Sequence, residues 1–210
     1  MIDPPLSRRP PPTPLRQRGL TLIGGAVRSG KSRFALARAS QAGTRRVFVA
    51  TAEARDDEMR SRVIAHQAER GDAFETVEEP LHLAATIAAR TDYDALVVDC
   101  LTLWLSNHLL RDEDETALRE KIDELVVALA QPRGRVIIVS NEVGMGIVPP
   151  SRLGRMFRDV AGYAHQRLAA VADEVFVATM GVVLELVPGP VRAVPTSVPT
   201  APRLDGQDRD

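Results

Sequence analysis

The stretch Gly25-Ala26-Val27-Arg28-Ser29-Gly30-Lys31-Ser32 decides the fold. Its two glycines, followed by lysine and serine, have the spacing of a phosphate-binding loop, or P-loop. Apolar, β-prone residues 20–23 precede it and helix-forming residues 32–39 follow it, so we expect a strand-to-helix turn. Glycines let backbone N–H groups approach phosphate oxygens, and the helix adds the positive end of its dipole. The stretch therefore predicts a nucleotide site in which Lys31 reaches the β- and γ-phosphates and Ser32 ligates Mg²⁺.

Bulk composition narrows the class of protein. The chain has 210 residues, 44% of them hydrophobic, which is enough for one good core. A net charge of −1 leaves no basic surplus for nucleic acid or an anionic membrane, although small anionic ligands need only a local cluster. The single cysteine, Cys100, excludes an internal disulfide and indicates a buried thiol in a reducing compartment. No apolar run is long enough to span a membrane or to form a signal peptide, so we expect a cytoplasmic protein.

Both ends of the chain are rich in proline. Residues 1–18 combine prolines with arginines, and we predict a disordered extension there. Prolines recur from 188 onward, and we predict a second disordered tail over 189–210. The folded domain is therefore expected to cover residues 19–188.

Strand and helix patterns alternate within that domain. We predict strands at 46–51, 76–78, 95–99 and 135–140, helices at 56–70, 81–90, 101–110, 115–130 and 151–172, and a final hairpin formed by 174–179 and 182–187. Central apolar strands alternating with helices are typical of parallel sheets covered on both faces. The fold class is therefore α/β: a P-loop NTPase-like, mostly parallel doubly wound sheet with an antiparallel edge strand.

Two polar groups are expected beside the P-loop. Asp99 ends an apolar strand at the sheet edge where such folds bind ligands, so it either holds Mg²⁺ or caps the following helix. The glycine- and proline-containing loop 141–149 leaves the same edge and is expected to line the pocket. Within it, Glu142 either orients a substrate hydroxyl or a metal-bound water, or simply closes a turn.

Three of the four histidines are expected to be structural or exposed: His82 near a helix start, His108 near a helix end, and His165 on the polar side of the long helix. His66 shares a helix face with Met59, Arg62 and Val63, and this helix follows the strand that we expect to lie next to the P-loop. From spacing alone it is a core or surface histidine. An imidazole held near a nucleotide can instead attack phosphorus, and Arg62 would disfavour its protonation.

Taken together, these residues resemble the bifunctional adenosylcobinamide kinase/adenosylcobinamide-phosphate guanylyltransferase family of cobalamin assembly. The resemblance covers about residues 19 to 187 and is carried by motifs in the family's order: Arg28 to Arg33, Ala50-Thr51-Ala52, Asp57-Glu58-Met59 with Arg62 and His66, Val98 to Thr102, Ser140 to Pro149, Phe157-Arg158-Asp159, and Gln166 to Ala169. It does not extend to the proline-rich ends.

The resemblance implies two reactions. The enzyme would phosphorylate adenosylcobinamide with ATP or GTP, then transfer GMP from GTP through a guanylylated histidine to adenosylcobinamide phosphate, giving adenosylcobinamide-GDP. The matching histidine is His66, with Lys31 also catalytic. Family members form homotrimers, which we adopt as an expectation. The implied nucleotide contacts are Gly25, Ala26, Val27, Arg28, Ser29, Gly30, Lys31, Ser32, Ala50, Thr51, Ala52, Gln67, Ala68, Glu69, Arg70, Glu78 and Asp99, and the implied metal ligands are Ser32 and Asp99.

One departure and two alternatives accompany this interpretation. The family commonly has glycine where this chain has Ala26, for which we expect tuned affinity and retained binding. The nearest alternative is a P-loop small-molecule kinase without a covalent nucleotidyl step, in which His66 is structural. The other is a GTP-binding switch, which needs an Asn-Lys-x-Asp motif that the chain lacks; its only structured Asp-x-x-Gly candidate, 159–162, falls inside a predicted helix.

Overall fold

The computed structural model describes residues 18–53, 57, 71–111 and 114–194. Strands and helices alternate through these ranges as predicted: β1 Gly19–Gly25, α1 Lys31–Ala42, β2 Arg46–Ala50, β3 Glu75–Glu78, α2 Leu83–Ala89, β4 Ala95–Asp99, α3 Leu101–Leu109, α4 Glu115–Leu129, β5 Arg135–Val139, α5 Arg152–Val171, β6 Glu174–Thr179, β7 Val182–Val187 and β8 Arg192–Val194, with a short 3-10 helix at Gly71–Ala73. The predicted helix over 56–70 lies outside the described residues except for Asp57.

The strands form one sheet in the order β3-β2-β4-β5-β1-β6-β7-β8. All neighbouring pairs from β3 to β6 are parallel, whereas β7 runs antiparallel to β6 and β8 antiparallel to β7. The β6–β7 turn uses Met180 and Gly181, both with positive φ, as the tightest hairpin turns require. The predicted mostly parallel sheet with an antiparallel edge is therefore confirmed.

Strand β8 lies beyond residue 188, inside the tail that we predict to be disordered. Its residues pair with Val183, Leu184 and Glu185 of β7. The prolines at 188 and 190 thus stand in the connection between two strands, where proline is tolerated because the sheet requires no backbone N–H donor from these positions. The described sheet therefore extends past the boundary that the proline content suggested.

Helices cover both faces of the sheet. Alternate residues of each strand point to opposite faces, so Leu96 and Val98 of β4 join one apolar cluster while Ala95 and Val97 join the other. The first cluster packs against α2, α3, α4 and α5, and the second against α1. In the described ranges, no helix combines the length and the apolarity needed to cross a bilayer.

The sheet order corrects one expectation. We expected β2, the next strand along the chain, to lie beside the P-loop strand. In the structure β5 and β4 stand between β1 and β2. Strand β5 takes the place beside β1. Every one of its residues is buried, so it needs a position that is covered on both faces.

A buried ionic cluster holds the amino-terminal edge of the sheet, opposite the P-loop. We call Glu174, Arg38, Arg135 and Thr21 the Glu174 cluster. The Glu174 carboxylate accepts hydrogen bonds from Arg38 Nη2 at 2.6 Å and 2.7 Å, from Arg135 Nη1 at 3.0 Å and from Thr21 Oγ1 at 2.8 Å. All four side chains are buried. The Glu174 carboxylate therefore contacts two guanidinium groups and links β6 to α1, β5 and β1.

Removing that carboxylate charge will destabilise the protein. We predict that Glu174→Gln lowers the free energy of unfolding by about 3–5 kcal/mol, because buried Arg38 and Arg135 each lose a directly hydrogen-bonded carboxylate. Urea denaturation followed by circular dichroism measures the change. The control is Glu115→Gln, which breaks the half-exposed Glu115–Arg119 pair and should cost about 0.5 kcal/mol or less. Equal losses in the two variants would contradict the prediction.

Candidate active site

The P-loop joins β1 to α1 as predicted. Gly30 is the N-cap of α1, with a φ of 94°, and no side chain caps the helix. No acidic residue stands in the first turn of α1 either. The backbone N–H groups that begin the helix are therefore left to an external acceptor, which is the arrangement that binds phosphate.

Gly25 has no room for a side chain. Its φ is +145°, and a Cβ added there would lie 2.2 Å from the carbonyl oxygen of Ala178 in β6. Ala26 differs, because Arg28 and Met180 are the non-glycine residues of the described ranges that have a positive φ. Ala26 therefore adopts a backbone that any residue can adopt, which explains how alanine is accommodated there.

The Lys31 side chain folds back onto the P-loop. Its Nζ donates to the carbonyl of Ala26 at 2.7 Å, and the side chain is buried. Burial lowers the pKa of Lys31, while the negative charge of Asp99 opposes that shift. The ammonium group is thus held across the loop, in the electrostatic field of Asp99, at the position from which it can meet phosphate oxygens.

Asp99 stands at the carboxyl end of β4, which is separated from β1 by β5. Asp99 is not the N-cap of the next helix, which was the alternative role that we considered. Cys100 is the N-cap of α3, and its side chain makes no capping hydrogen bond. Asp99 is joined to Cys100 by a cis peptide bond.

Thr51 ties the ends of β2 and β4 together. Its hydroxyl donates to the carbonyl of Cys100 at 2.7 Å and accepts from the Cys100 amide at 2.8 Å. Its own amide donates to Asp99, and its carbonyl accepts from Asn107 Nδ2. Because these groups are engaged within the protein, Thr51 supports the geometry around Asp99, a role that the sequence did not reveal.

The remaining predicted nucleotide contacts are spread along the sheet edge. Ala50 of β2 pairs with Asp99 on one side and with Glu78 of β3 on the other. Glu78 is exposed on this outermost strand. His66 and residues 67–70 lie outside the described residues, so their predicted roles stay predictions.

The loop after β5 lies directly beside the P-loop. The Ser140 amide donates to the carbonyl of Ile23, and the Glu142 amide donates to the carbonyl of Gly25, each at 2.9 Å. Glu142 also closes a turn, since its Oε1 accepts from the Gly144 amide at 2.6 Å. This confirms the turn that we considered for Glu142 and leaves its second carboxylate oxygen, Oε2, for other contacts.

Helix α5 holds this loop and brings an unexpected histidine to it. Arg158 Nη2 donates to the carbonyl of Gly144 at 2.8 Å. His165 Nε2 lies 2.7 Å from Ser140 Oγ, and its Nδ1 lies 3.7 Å from Glu142 Oε2. The expectation that His165 faces the polar side of the helix was wrong.

The spacing of α5 contained a signal for this position. Ala161 and Leu168 are both completely buried. His165 follows the first by four residues and precedes the second by three, which places all three on one helix face. The sequence spacing of these three residues could therefore have placed His165 on a buried face of α5.

The other described histidines behave as expected. His82 is the exposed N-cap of α2. His108 is buried, with its ring edge-on to Trp104 at 5.0 Å and its Nε2 3.2 Å from the carbonyl of Leu81. His82 is thus exposed and His108 structural.

Comparison with known proteins assigns this architecture to a family. A family model described as cobinamide kinase / cobinamide phosphate guanyltransferase matches residues 21–186. The chain belongs to this family. The matched region runs from β1 into β7, so the cobinamide kinase / guanyltransferase model spans the P-loop, Asp99 and the 141–149 loop together.

Curated relatives agree over the same region. The bifunctional adenosylcobalamin biosynthesis protein CobP of Pseudomonas aeruginosa is 42% identical over 166 residues, which cover 79% of this chain and 95% of that protein. The CobU proteins of Escherichia coli and Salmonella typhimurium have the same bifunctional description. Each is 38% identical over 176 residues, covering 78% of this chain and 97% of the relative. Among solved structures, the RadB recombinase has a TM-score of 0.46 at 16% identity, over 80% of this chain and 79% of that one.

A methyl group at Gly25 will disturb the nucleotide site of this kinase / guanyltransferase. We predict that Gly25→Ala weakens nucleotide binding by about tenfold or more, because the clash with Ala178 and the strained φ, a cost of about 1–3 kcal/mol, displace the P-loop. Titration with a fluorescent GTP analogue measures the affinity. Gly162→Ala, on an open face of α5 where a Cβ meets nothing within 4 Å, is the matched control and should bind as wild type. Unchanged affinity in Gly25→Ala would contradict the prediction.

The single cysteine should be unreactive in the native protein. Burial, reinforced by the neighbouring Asp99 charge, raises the pKa of Cys100 to about 11, so the thiol stays protonated at any pH well below that value. We expect no reaction with a disulfide reagent at pH 8 until the protein is unfolded, when one thiol per chain should react. Rapid labelling of the native protein would show that Cys100 is accessible.

Proposed function

We propose that this chain phosphorylates the hydroxyl of adenosylcobinamide with ATP or GTP, then transfers GMP from GTP through His66 to adenosylcobinamide phosphate. The product is adenosylcobinamide-GDP. Membership of the cobinamide kinase / guanyltransferase family supports both activities. The observation that carries the nucleotide chemistry is the uncapped start of α1, with Lys31 folded across the P-loop beside Asp99.

The kinase step needs positioning above all. The N–H groups at the start of α1 hold the phosphate chain, and Lys31 exchanges its bond to the Ala26 carbonyl for the β- and γ-phosphate oxygens. The acceptor alcohol attacks the γ-phosphorus, and the bond from that phosphorus to the β-bridging oxygen breaks. Lys31 neutralises charge on the leaving oxygen.

The proposed metal ligands fit Mg²⁺. The Ser32 hydroxyl and the Asp99 carboxylate are hard oxygen donors, and Mg²⁺ commonly takes one or two such groups while keeping several waters. In the described ranges, no group of three or more His, Cys, Asp and Glu side chains forms a fuller protein cage. When bound with the nucleotide, Mg²⁺ supplies further neutralisation of the phosphate charge.

The guanylyl transfer needs a different phosphorus. An imidazole nitrogen of His66 attacks the α-phosphorus of GTP, pyrophosphate leaves, and a phosphoramidate bond to GMP remains on the histidine. A phosphate oxygen of adenosylcobinamide phosphate then attacks the same phosphorus and releases the histidine. For the nucleotide we retain the proposed contacts Ala50 to Ala52, Gln67 to Arg70, Glu78 and Asp99, with Thr51 acting mainly through its hold on Cys100.

We also propose a homotrimer in the cytoplasm. A buried, free Cys100 suits a reducing compartment, and the trimer is the assembly that the family resemblance implies. Light scattering of the purified protein gives the assembly state directly.

The decisive experiment separates the two phosphorus atoms. The protein is incubated with Mg²⁺ and GTP labelled at either the α- or the γ-phosphate, then denatured and treated with acid or base. We predict covalent label from the α position only, lost in acid, stable in base, and absent in His66→Ala. The same variant should keep most of its kinase rate, because attack on the γ-phosphorus does not use His66.

The matched control is His82→Ala, which removes the exposed histidine at the start of α2 and should label as wild type. No α label under conditions where nucleotide binds would favour the simpler P-loop small-molecule kinase. Equal loss of both activities in His66→Ala would contradict the division of labour between the P-loop and the histidine.

A further inference from the structure

Ser140, His165 and Glu142 form a polar chain that runs from the end of β5 to the edge of the P-loop. Ser140 Oγ is 2.7 Å from His165 Nε2, and His165 Nδ1 is 3.7 Å from Glu142 Oε2. We call these three side chains the Ser140–His165–Glu142 chain. The family description assigns no role to them.

The hydrogen-bonding capacity of a neutral imidazole favours one tautomer of His165. A neutral imidazole has one N–H and one acceptor nitrogen. If Nε2 accepts from the Ser140 hydroxyl, the N–H stands on Nδ1 and faces the Glu142 carboxylate. The opposite tautomer would turn a bare nitrogen lone pair toward a negative charge, so the first arrangement is favoured.

Electrostatics support the neutral form of the ring. Burial lowers the pKa of His165, and the Glu142 carboxylate opposes that shift. Within one turn along α5, the residues that share its face are Ala161, Gly162, Leu168 and Ala169, which carry no charge. A neutral His165 orients Glu142 by its N–H dipole without locking it into an ion pair.

Exposure decides which member of the chain can meet substrate. Ser140 is completely buried, so its hydroxyl cannot act as a nucleophile toward a bound ligand. The Glu142 side chain is 32% exposed, and its backbone amide is bonded to Gly25 of the P-loop. Its Oε1 is held by the Gly144 amide. Its Oε2 lies 3.7 Å from His165 Nδ1, which is too far for a hydrogen bond, so Oε2 can accept one from another group.

Gly144 itself is fixed at both ends. Its amide donates to Glu142 Oε1 and its carbonyl accepts from Arg158 Nη2. The Glu142 carboxylate is therefore held at Oε1 through Gly144 and Arg158, and His165 faces its Oε2 at 3.7 Å, beside the strand end from which the P-loop begins. A preorganised carboxylate in this place is suited to receive a proton.

We propose that Glu142 is the proton acceptor of the kinase step and that His165 is the positioning residue that aims its Oε2. This rests on the proposed function. The alcohol oxygen forms a bond to the γ-phosphorus, the bond from that phosphorus to the β-bridging oxygen breaks and the nucleoside diphosphate leaves, and the alcohol proton passes to Glu142 Oε2. The guanylyl step uses no alcohol, so it does not need this carboxylate.

The test compares two activities on the same protein preparations. Kinase rates are measured with adenosylcobinamide over a range of concentrations, and guanylylation is measured as stoichiometric α-label from GTP. We predict that Glu142→Gln lowers the kinase kcat by about a hundredfold, as the loss of a general base does, while keeping the label within about twofold of wild type.

Variants at His165 distinguish positioning from structural support. His165→Leu should lower the kinase kcat by about tenfold with little change in KM, because the carboxylate is present but misaimed. His165→Gln should restore most of the rate, since its amide can accept from Ser140 and donate toward Glu142. Gln166→Ala, an exposed neighbour on α5, is the control and should behave as wild type.

Each contrary outcome overturns the inference. An unchanged kinase kcat in Glu142→Gln would show that Glu142 is not the proton acceptor. Equal loss of kinase activity and labelling in His165→Leu, with no rescue by His165→Gln, would show that His165 is purely structural. A wild-type protein that lacks both activities overturns the proposed function itself. If the wild type has both activities and the variants have unchanged rates, only the further inference is overturned.

Discussion

The pairing of β1 with β5 on one side and with β6 on the other is the constraint on which the site depends. On the β6 side the backbones approach so closely that a side chain at Gly25 would collide with Ala178. On the β5 side the hydrogen bonds continue past the strand, because the Glu142 amide reaches the Gly25 carbonyl. The P-loop is therefore held by main-chain contacts from both neighbours, which need no particular side chain to form.

The two edges of the sheet divide stability and chemistry. At the amino-terminal edge, buried Glu174 accepts direct hydrogen bonds from Arg38 and Arg135. At the carboxyl edge, Lys31 and Asp99 interact through their charges while the start of α1 stays uncapped. Polar groups left for a ligand cost stability, and the buried hydrogen bonds of Glu174 at the opposite edge can offset that cost.

A single P-loop serving two transfers poses a geometric problem. In our proposal one reaction presents the γ-phosphorus to an alcohol and the other presents the α-phosphorus to a histidine. In our proposals the two reacting groups come from different parts of the sequence: His66 follows β2, whereas Glu142 follows β5 and lies beside the P-loop. In the sheet, β4 separates β2 from β5.

The sequence by itself determined the local parts of this protein. Glycine spacing from Gly25 to Gly30 predicted the P-loop, and apolar runs predicted the parallel strands, because these signals act through backbone sterics and burial within a few residues. Asp99 was predicted at the correct sheet edge by the same logic, and the family resemblance added His66. Only the tertiary structure decided what lies next to what: β5 beside β1, Thr51 on Cys100, β8 after two prolines, and His165 against Ser140. Such contacts are set by which buried surfaces fill the space between elements; a short window of sequence can show that one face of an element is buried, but not which residue that face meets.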